Sequence, residues 1–346
     1  MSEKLSIKSI AKEMGVSVTT VSFILNGKGP QMRISQSLTE QVKDFVRKKG
    51  YKQNQIAKSL ATGKTMTIGL LVENISDVFF SEIAYYIGKL ALKHGYKVIY
   101  GSTENDPEVT RGLLTFFQSR MVDGLIIAPP PGLQTEITEL VEQNYPLVLF
   151  DRYYPELECN YVISDNYEST SRAIRYLISQ GKKNIAFITT LSDQQQMLDR
   201  LNAYSDSINA SGLDSMIKRV TYADEQDYLE VELKDFFSSN PQLDAVFFAT
   251  HYLTLAGLKI IKDLDLKVPQ QLAIASFDDL PVFDVVQQPI SAIRQPVKQM
   301  CLHLMQTLLG LMNKKNDEQQ AIKTLKVPSE FIIREGVDSY SAGVIR

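Results

Sequence analysis

The chain has 346 residues, 44% of them hydrophobic and 22% charged, a composition that suits a soluble globular protein of two or three domains. No stretch reads as a signal peptide or a membrane span. The two cysteines, Cys159 and Cys301, lack disulfide or metal-type spacing and point to a reducing, cytoplasmic setting. The net charge of −3 conceals an asymmetry: residues 1–64 hold 12 Lys+Arg against 4 Asp+Glu, and the remainder 25 against 36. Any surface that seeks nucleic-acid phosphate therefore lies in the basic head, because the acidic body repels it.

Along the head, Ser6 is expected to cap a short helix carrying Ile7, Ile10, Ala11 and Met14, which Gly15 ends in the left-handed conformation. Ser17 then caps a second helix with Val21, Ile24 and Leu25 turned inward. A small residue, a turn glycine and a capped second helix at this spacing predict a helix-turn-helix. Ser35 or Ser37 opens a third helix with Leu38, Val42, Phe45 and Val46 on one face and Gly50 at its end. In such a unit the second helix reads base edges, here through Val18, Thr19 and Phe23, with Thr20 and Ser22 nearer the DNA backbone. Ser35 sits where a helix N-terminus either holds a phosphate or is simply capped.

The runs Ile7-Lys8-Ser9-Ile10-Ala11, Gly15-Val16-Ser17, Thr20-Val21-Ser22, Asn26-Gly27, Ile34-Ser35 and Gly50-Tyr51, followed by Asn54, resemble the LacI/GalR family of bacterial repressors. The resemblance implies a DNA-binding domain at 1–50 in which Ser17 and Asn26 join the contacts above, with Asn54 added from the segment that follows. It also implies a hinge helix at 51–65 that orders when two copies meet on DNA, with Leu60 wedged into the minor groove beside Ala57. Read without it, 51–65, too short to be a stable helix alone, is instead a flexible linker with Leu60 packed on the body. Phe23 stands where the family often has a polar or basic residue, and Gln53 where it commonly has proline.

Downstream, apolar strand-like runs at Ile68–Val72, Tyr96–Tyr100, Gly124–Ala128 and Leu147–Phe150 alternate with helical patterns at Phe80–His94, Pro107–Arg120 and Leu133–Asn144. A second set has strands at Asn184–Thr189, Ala245–Ala249 and Leu272–Phe277, with helices near 167–181, 197–211 and 252–264. Two such sets predict two doubly wound parallel-sheet lobes with ligand at the strand C-termini between them. No phosphate-binding loop, dinucleotide fingerprint, nucleophile elbow or metal cluster appears, so no catalytic residue, cofactor or metal is expected and the chain does not read as an enzyme.

The resemblance continues through Asp151-Arg152, Asp165-Asn166, Arg200 with Tyr204, Phe277-Asp278-Asp279 and Arg294-Gln295-Pro296. It implies a periplasmic-binding-protein-like effector-binding and dimerisation domain at 66–336. Lobe 1 would span about 66–163 and 292–326, lobe 2 about 164–291 and 327–336, with crossings near 163, 291 and 327 and a tail at 337–346. Its effector site falls on Phe79, Asp165, Arg200, His251 and Asp278. Phe79 would stack on a ring, and the charged groups would bind hydroxyls. On the residues alone, Phe79 equally fits the core, Asp165 a helix cap, Asp278 a strand end and His251 a loop. Two departures stand out, Asp77-Val78 for the family's usual Asn-Pro and His251-Tyr252 for its Asn-Asp. The whole implies an allosteric repressor, dimeric on a near-palindromic double-stranded operator and controlled by a small molecule, with a carbohydrate expected. The competing reading is an exported sugar-binding receptor built on the same body.

Overall fold

The computed structural model describes residues 6–51, 59, 62–221, 226–268, 270–313 and 321–334, with only the backbone for 226–228. The chain divides into two compact units, Met1–Thr65 and Met66–Arg346.

In the first unit α1 (Ile7–Met14), α2 (Val18–Leu25) and α3 (Gln36–Lys48) surround a core of Ile10, Ala11, Val21, Ile24 and Val42. Each helix begins at a serine whose side chain accepts a backbone N–H that has no partner within the helix. Ser6 and Ser9 form a reciprocal capping box, Ser17 accepts from Thr20, and Ser35, rather than Ser37, accepts from Leu38. Gly15 (φ 65°) makes the turn between α1 and α2.

The second unit holds two six-stranded sheets. The first joins β1 (Thr67–Val72), β2 (Lys97–Ser102), β3 (Gly124–Ile127), β4 (Leu147–Phe150), β5 (Tyr161–Ser164) and β11 (Thr324–Val327) in the order β2-β1-β3-β4-β5-β11, all parallel. Its strands are nearly continuous apolar runs because helices cover both faces. Helices α4 (Val78–Lys93) and α11 (Val297–Met312) cover one, α5 (Pro107–Ser119) and α6 (Gln134–Glu142) the other.

The second sheet joins β6 (Ile185–Thr190), β7 (Met216–Val220), β8 (Ala245–Phe248), β9 (Ala273–Phe277), β10 (Ile290–Arg294) and β12 (Glu330–Ile332) in the order β7-β6-β8-β9-β10-β12. It is parallel except at its edge, where β12 runs antiparallel to β10. Helices α7 (Asn166–Ser179) and α8 (Gln195–Ala210) pack on one face, α9 (Gln226–Ser239) and α10 (His251–Asp263) on the other. Gly257 of α10 lies so close to the Phe248 ring that a Cβ there would have no room.

The chain passes between the lobes after β5, after β10 and between β11 and β12. The middle crossing follows Arg294 rather than falling near 291, because Ile290, Ala292 and Ile293 complete the pairing with β9. Among the described residues no helix is long and apolar enough to cross a membrane.

Candidate functional site

In the head, the cap at Ser17 places Val18 and Thr19 on the exposed first turn of α2, and Val18 keeps 41% of its surface open. An apolar side chain left outside so small a core is free to pack on a base methyl. Ser17 Oγ accepts the Thr20 amide at 2.9 Å and lies 2.8 Å from Thr20 Oγ1, so these hydroxyls hold the turn that carries Val18 and Thr19. Ser22, Phe23 and Asn26 are half-buried further along, with Asn26 Nδ2 donating to Ser22 Oγ at 3.4 Å. Ser35 is exposed at the start of α3. Asn54, Ala57 and Leu60 lie outside the described residues.

In the body, the C-terminal ends of β1, β4, β6, β8 and β9 converge on a cavity of about 140 Å³ between the lobes. Parallel strands direct their C-terminal loops to one edge, and where β1 and β6 have neighbours leaving in opposite directions the loops part and leave a crevice. Phe79, Arg200, His251 and Asp278 line this cavity together. Asp165 does not. Its Oδ1 accepts the Ser329 N–H at 2.7 Å and its Oδ2 the Arg172 guanidinium at 3.2 Å, so this carboxylate ties the start of α7 to the last crossing. Nor does its side chain cap α7, although its carbonyl accepts the Ser169 N–H.

Arg200 is buried. Its Nε donates to Asn166 Oδ1 at 2.9 Å, its Nη1 to the Ala249 carbonyl at 2.7 Å, and its guanidinium lies 3.4 Å above the Phe277 ring. Its Nη2 has no partner among the described residues. Burial pulls this guanidinium below its ordinary pKa, while Asp278 and Asp151 push the other way. Asp278 adopts a left-handed backbone (φ 73°), and so does Asp151 (φ 63°) at the matching strand end of the first lobe. A non-glycine residue held there carries a strain of about 1–3 kcal/mol.

His251 bridges two carboxylates, with Nδ1 3.2 Å from Asp278 Oδ2 and Nε2 3.1 Å from Asp77 Oδ2. Burial alone would lower its pKa, but the two carboxylates outweigh it and raise the value to about 10. The ring is therefore charged at neutral pH. The stability it contributes is complete below the ordinary value of 6.5 and is lost as pH rises through about 10. The melting temperature of the protein should thus exceed that of His251→Asn clearly at pH 6 and by a shrinking margin toward pH 10. A constant margin would contradict a charged histidine.

Reasoning from sequence missed a second cluster. Arg152 contacts Glu73, meets Asp151 at 3.1 Å and donates to Asn105 Oδ1 at 2.7 Å, and that same oxygen accepts Gln194 Nε2 of the other lobe at 2.9 Å. Gln196, also on the wall, keeps a buried Oε1 with no partner among the described residues. For Glu73, Asp151 and Arg152 the available signal was their position directly after the ends of β1 and β4.

A head with a capped, exposed helix-turn-helix and a body of two lobes closing on a polar cleft define a DNA-binding transcription regulator. Residues 6–54 match the model of bacterial regulatory proteins of the lacI family, and residues 174–337 that of the periplasmic binding protein-like domain. Among curated relatives, catabolite control protein A of Priestia megaterium is 26% identical, over 92% of this chain and 96% of its own. The sucrose operon repressor of Streptococcus mutans is 28% identical, over 96% and 99%. Among solved structures, the lac repressor dimer bound to operator and the anti-inducer ONPF has a TM-score of 0.83 at 18% identity, over 96% of this chain and 98% of that one, a likeness of fold. The chain thus joins a lacI-family DNA-binding head to a periplasmic binding protein-like body, the make-up of a bacterial transcription regulator rather than an enzyme.

Proposed function

We propose that this regulator is a cytoplasmic repressor, dimeric on a near-palindromic operator, whose cleft takes an uncharged polyhydroxylated carbohydrate. The observation that carries the reading is the charge balance of the cleft. Four carboxylates (Glu73, Asp77, Asp151 and Asp278) face three cations, and Arg152 and His251 are each held between two of the carboxylates. A phosphate or acid group entering here would add a fifth negative charge to a lining whose carboxylates already outnumber its cations, which is costly. A hydroxyl-rich ring instead meets acceptors on the carboxylates, a donor on Arg200 Nη2, an orphaned acceptor on Gln196 and the half-exposed Phe79 face. Relatives named for sucrose and ribose operons, and a solved transcriptional regulator in complex with cellobiose, are in keeping with a sugar.

The test is a thermal-shift screen of the full chain with neutral sugars beside their phosphates and acids, since a ligand at a hundred times its Kd stabilises by about 2.7 kcal/mol. The sugar that binds should change retention of the operator fragment by about 5- to 150-fold. Asp278→Ala should retain operator binding and lose that response. An anionic sugar that stabilises where its neutral parent does not would overturn the charge argument.

A further inference from the structure

Asp77 and His251 stand on opposite walls of the cleft. Asp77 occupies the turn from β1 into α4, in the first lobe, and His251 opens α10, in the second. Asp77 is braced within its own lobe, and His251 by Asp278 of its own lobe, which is tied through Gln295 to Ser164 of the first. Asp77 caps α4, with Oδ1 accepting the amides of Phe79 at 2.9 Å and Phe80 at 3.4 Å, which leaves Oδ2 to reach across the cleft to His251. His251 is held from behind by Asp278, whose other oxygen accepts Gln295 Nε2 at 2.6 Å, and Gln295 in turn accepts from Ser164 at 2.8 Å. The contact is thus a charged bond between two preset groups. Such a pair loses little side-chain entropy on forming and lies mostly out of water, where Coulomb attraction is strong. A second bond, from Gln194 to Asn105, spans the same gap.

We propose that Asp77 and His251 form a latch that bonds the two lobes of this regulator to each other across the cleft, so that any parting of the lobes must first break this bond. The latch takes from the proposed function only that the cleft between the lobes is the effector site, and its test uses no ligand.

Both native cysteines are buried, so spin labels can be carried on Val109→Cys in the first lobe and Val231→Cys in the second, which are 42% and 57% exposed in the native chain. The separation is measured by pulsed electron resonance on the full-length protein without ligand, diluted with unlabelled chain to suppress signals between subunits. The latched protein should give one short distance. Asp77→Asn is the cleanest variant, because the amide oxygen still caps α4 while the ion pair is lost. It should move the distribution to longer distances, His251→Gln should move it equally, and the double variant no further. An Asp77→Asn distribution that coincides with that of the native latch residues, or shifts that add in the double variant, would overturn the proposal. A normal melting profile of Asp77→Asn guards against misfolding as the cause of any shift.

Discussion

Ile24→Ala should abolish operator binding while leaving the body folded. Ile24 is 1% exposed and is one of five side chains that form the core of the head. Removing a buried isoleucine to alanine costs about 2–5 kcal/mol, because transfer free energy is lost and a cavity stays behind. A domain of this size rarely holds more than about 3–5 kcal/mol in all, so a single truncation consumes most of its stability. Once α2 is no longer held against α1 and α3, Val18 and Thr19 cease to be presented on a fixed turn. Gel retardation with an operator fragment should show affinity reduced to the non-specific level, while the melting transition of the body stays where it was. Retained specific binding would mean that the head is held by something other than these five side chains.

The second large effect is expected at Arg152. Its side chain is 7% exposed and is shared between Glu73 and Asp151, themselves 21% and 9% exposed. Burial pushes the Asp151 carboxyl up, and Arg152 is the first of the groups that oppose it. Arg152→Ala removes the counter-charge and leaves two carboxylates facing each other out of water, a change that typically costs about 3–5 kcal/mol. Urea unfolding of the full chain should show the body transition at a lower midpoint with an unchanged slope, and loss of the bond to Asn105 should loosen the cleft wall as well. Arg47→Ala, in an exposed pair with Asp44 on α3, is the control and should hardly matter. Equal effects at the two sites would refute the account of the cluster.

Much of the architecture was legible because buried parallel strands announce themselves. Ile68–Val72 and Leu147–Phe150 are unbroken apolar runs, and the structure places β1 and β4 there. The edges were not legible. Met216–Val220 carries Lys218 and Arg219 and buries fully only Val220, so β7 shows neither a run nor a clean alternation. The helix at Gln226–Ser239 was passed over with it. β12 exists only because a distant strand, β10, offers it an edge, which no local pattern encodes.

The site divides in the same way. Arg200, Asp278, His251 and Phe79 were found through residue type and family pattern, and they share the cavity. Asp165 had the right chemistry, yet its oxygens are taken by Ser329 and Arg172. Asp77 drew notice as a departure from the pattern, but its partner His251 comes from the other lobe, far along the chain, and only folding brings the two together.

The three crossings between lobes have a consequence for how the chain is made. β1 to β5 leave the ribosome early, yet their sheet cannot finish its core. Met300, Cys301, Leu304 and Leu308 of α11 fill the same face as Ile83 and Ile87, and they arrive with β11 near the end of translation. The later lobe has β6 to β10 in hand by Arg294 and lacks only an edge. The lobe that begins first along the chain therefore completes its core only after the other has all but its edge strand. A chain cut before α11 should leave the face of Ile83 and Ile87 uncovered and prone to association.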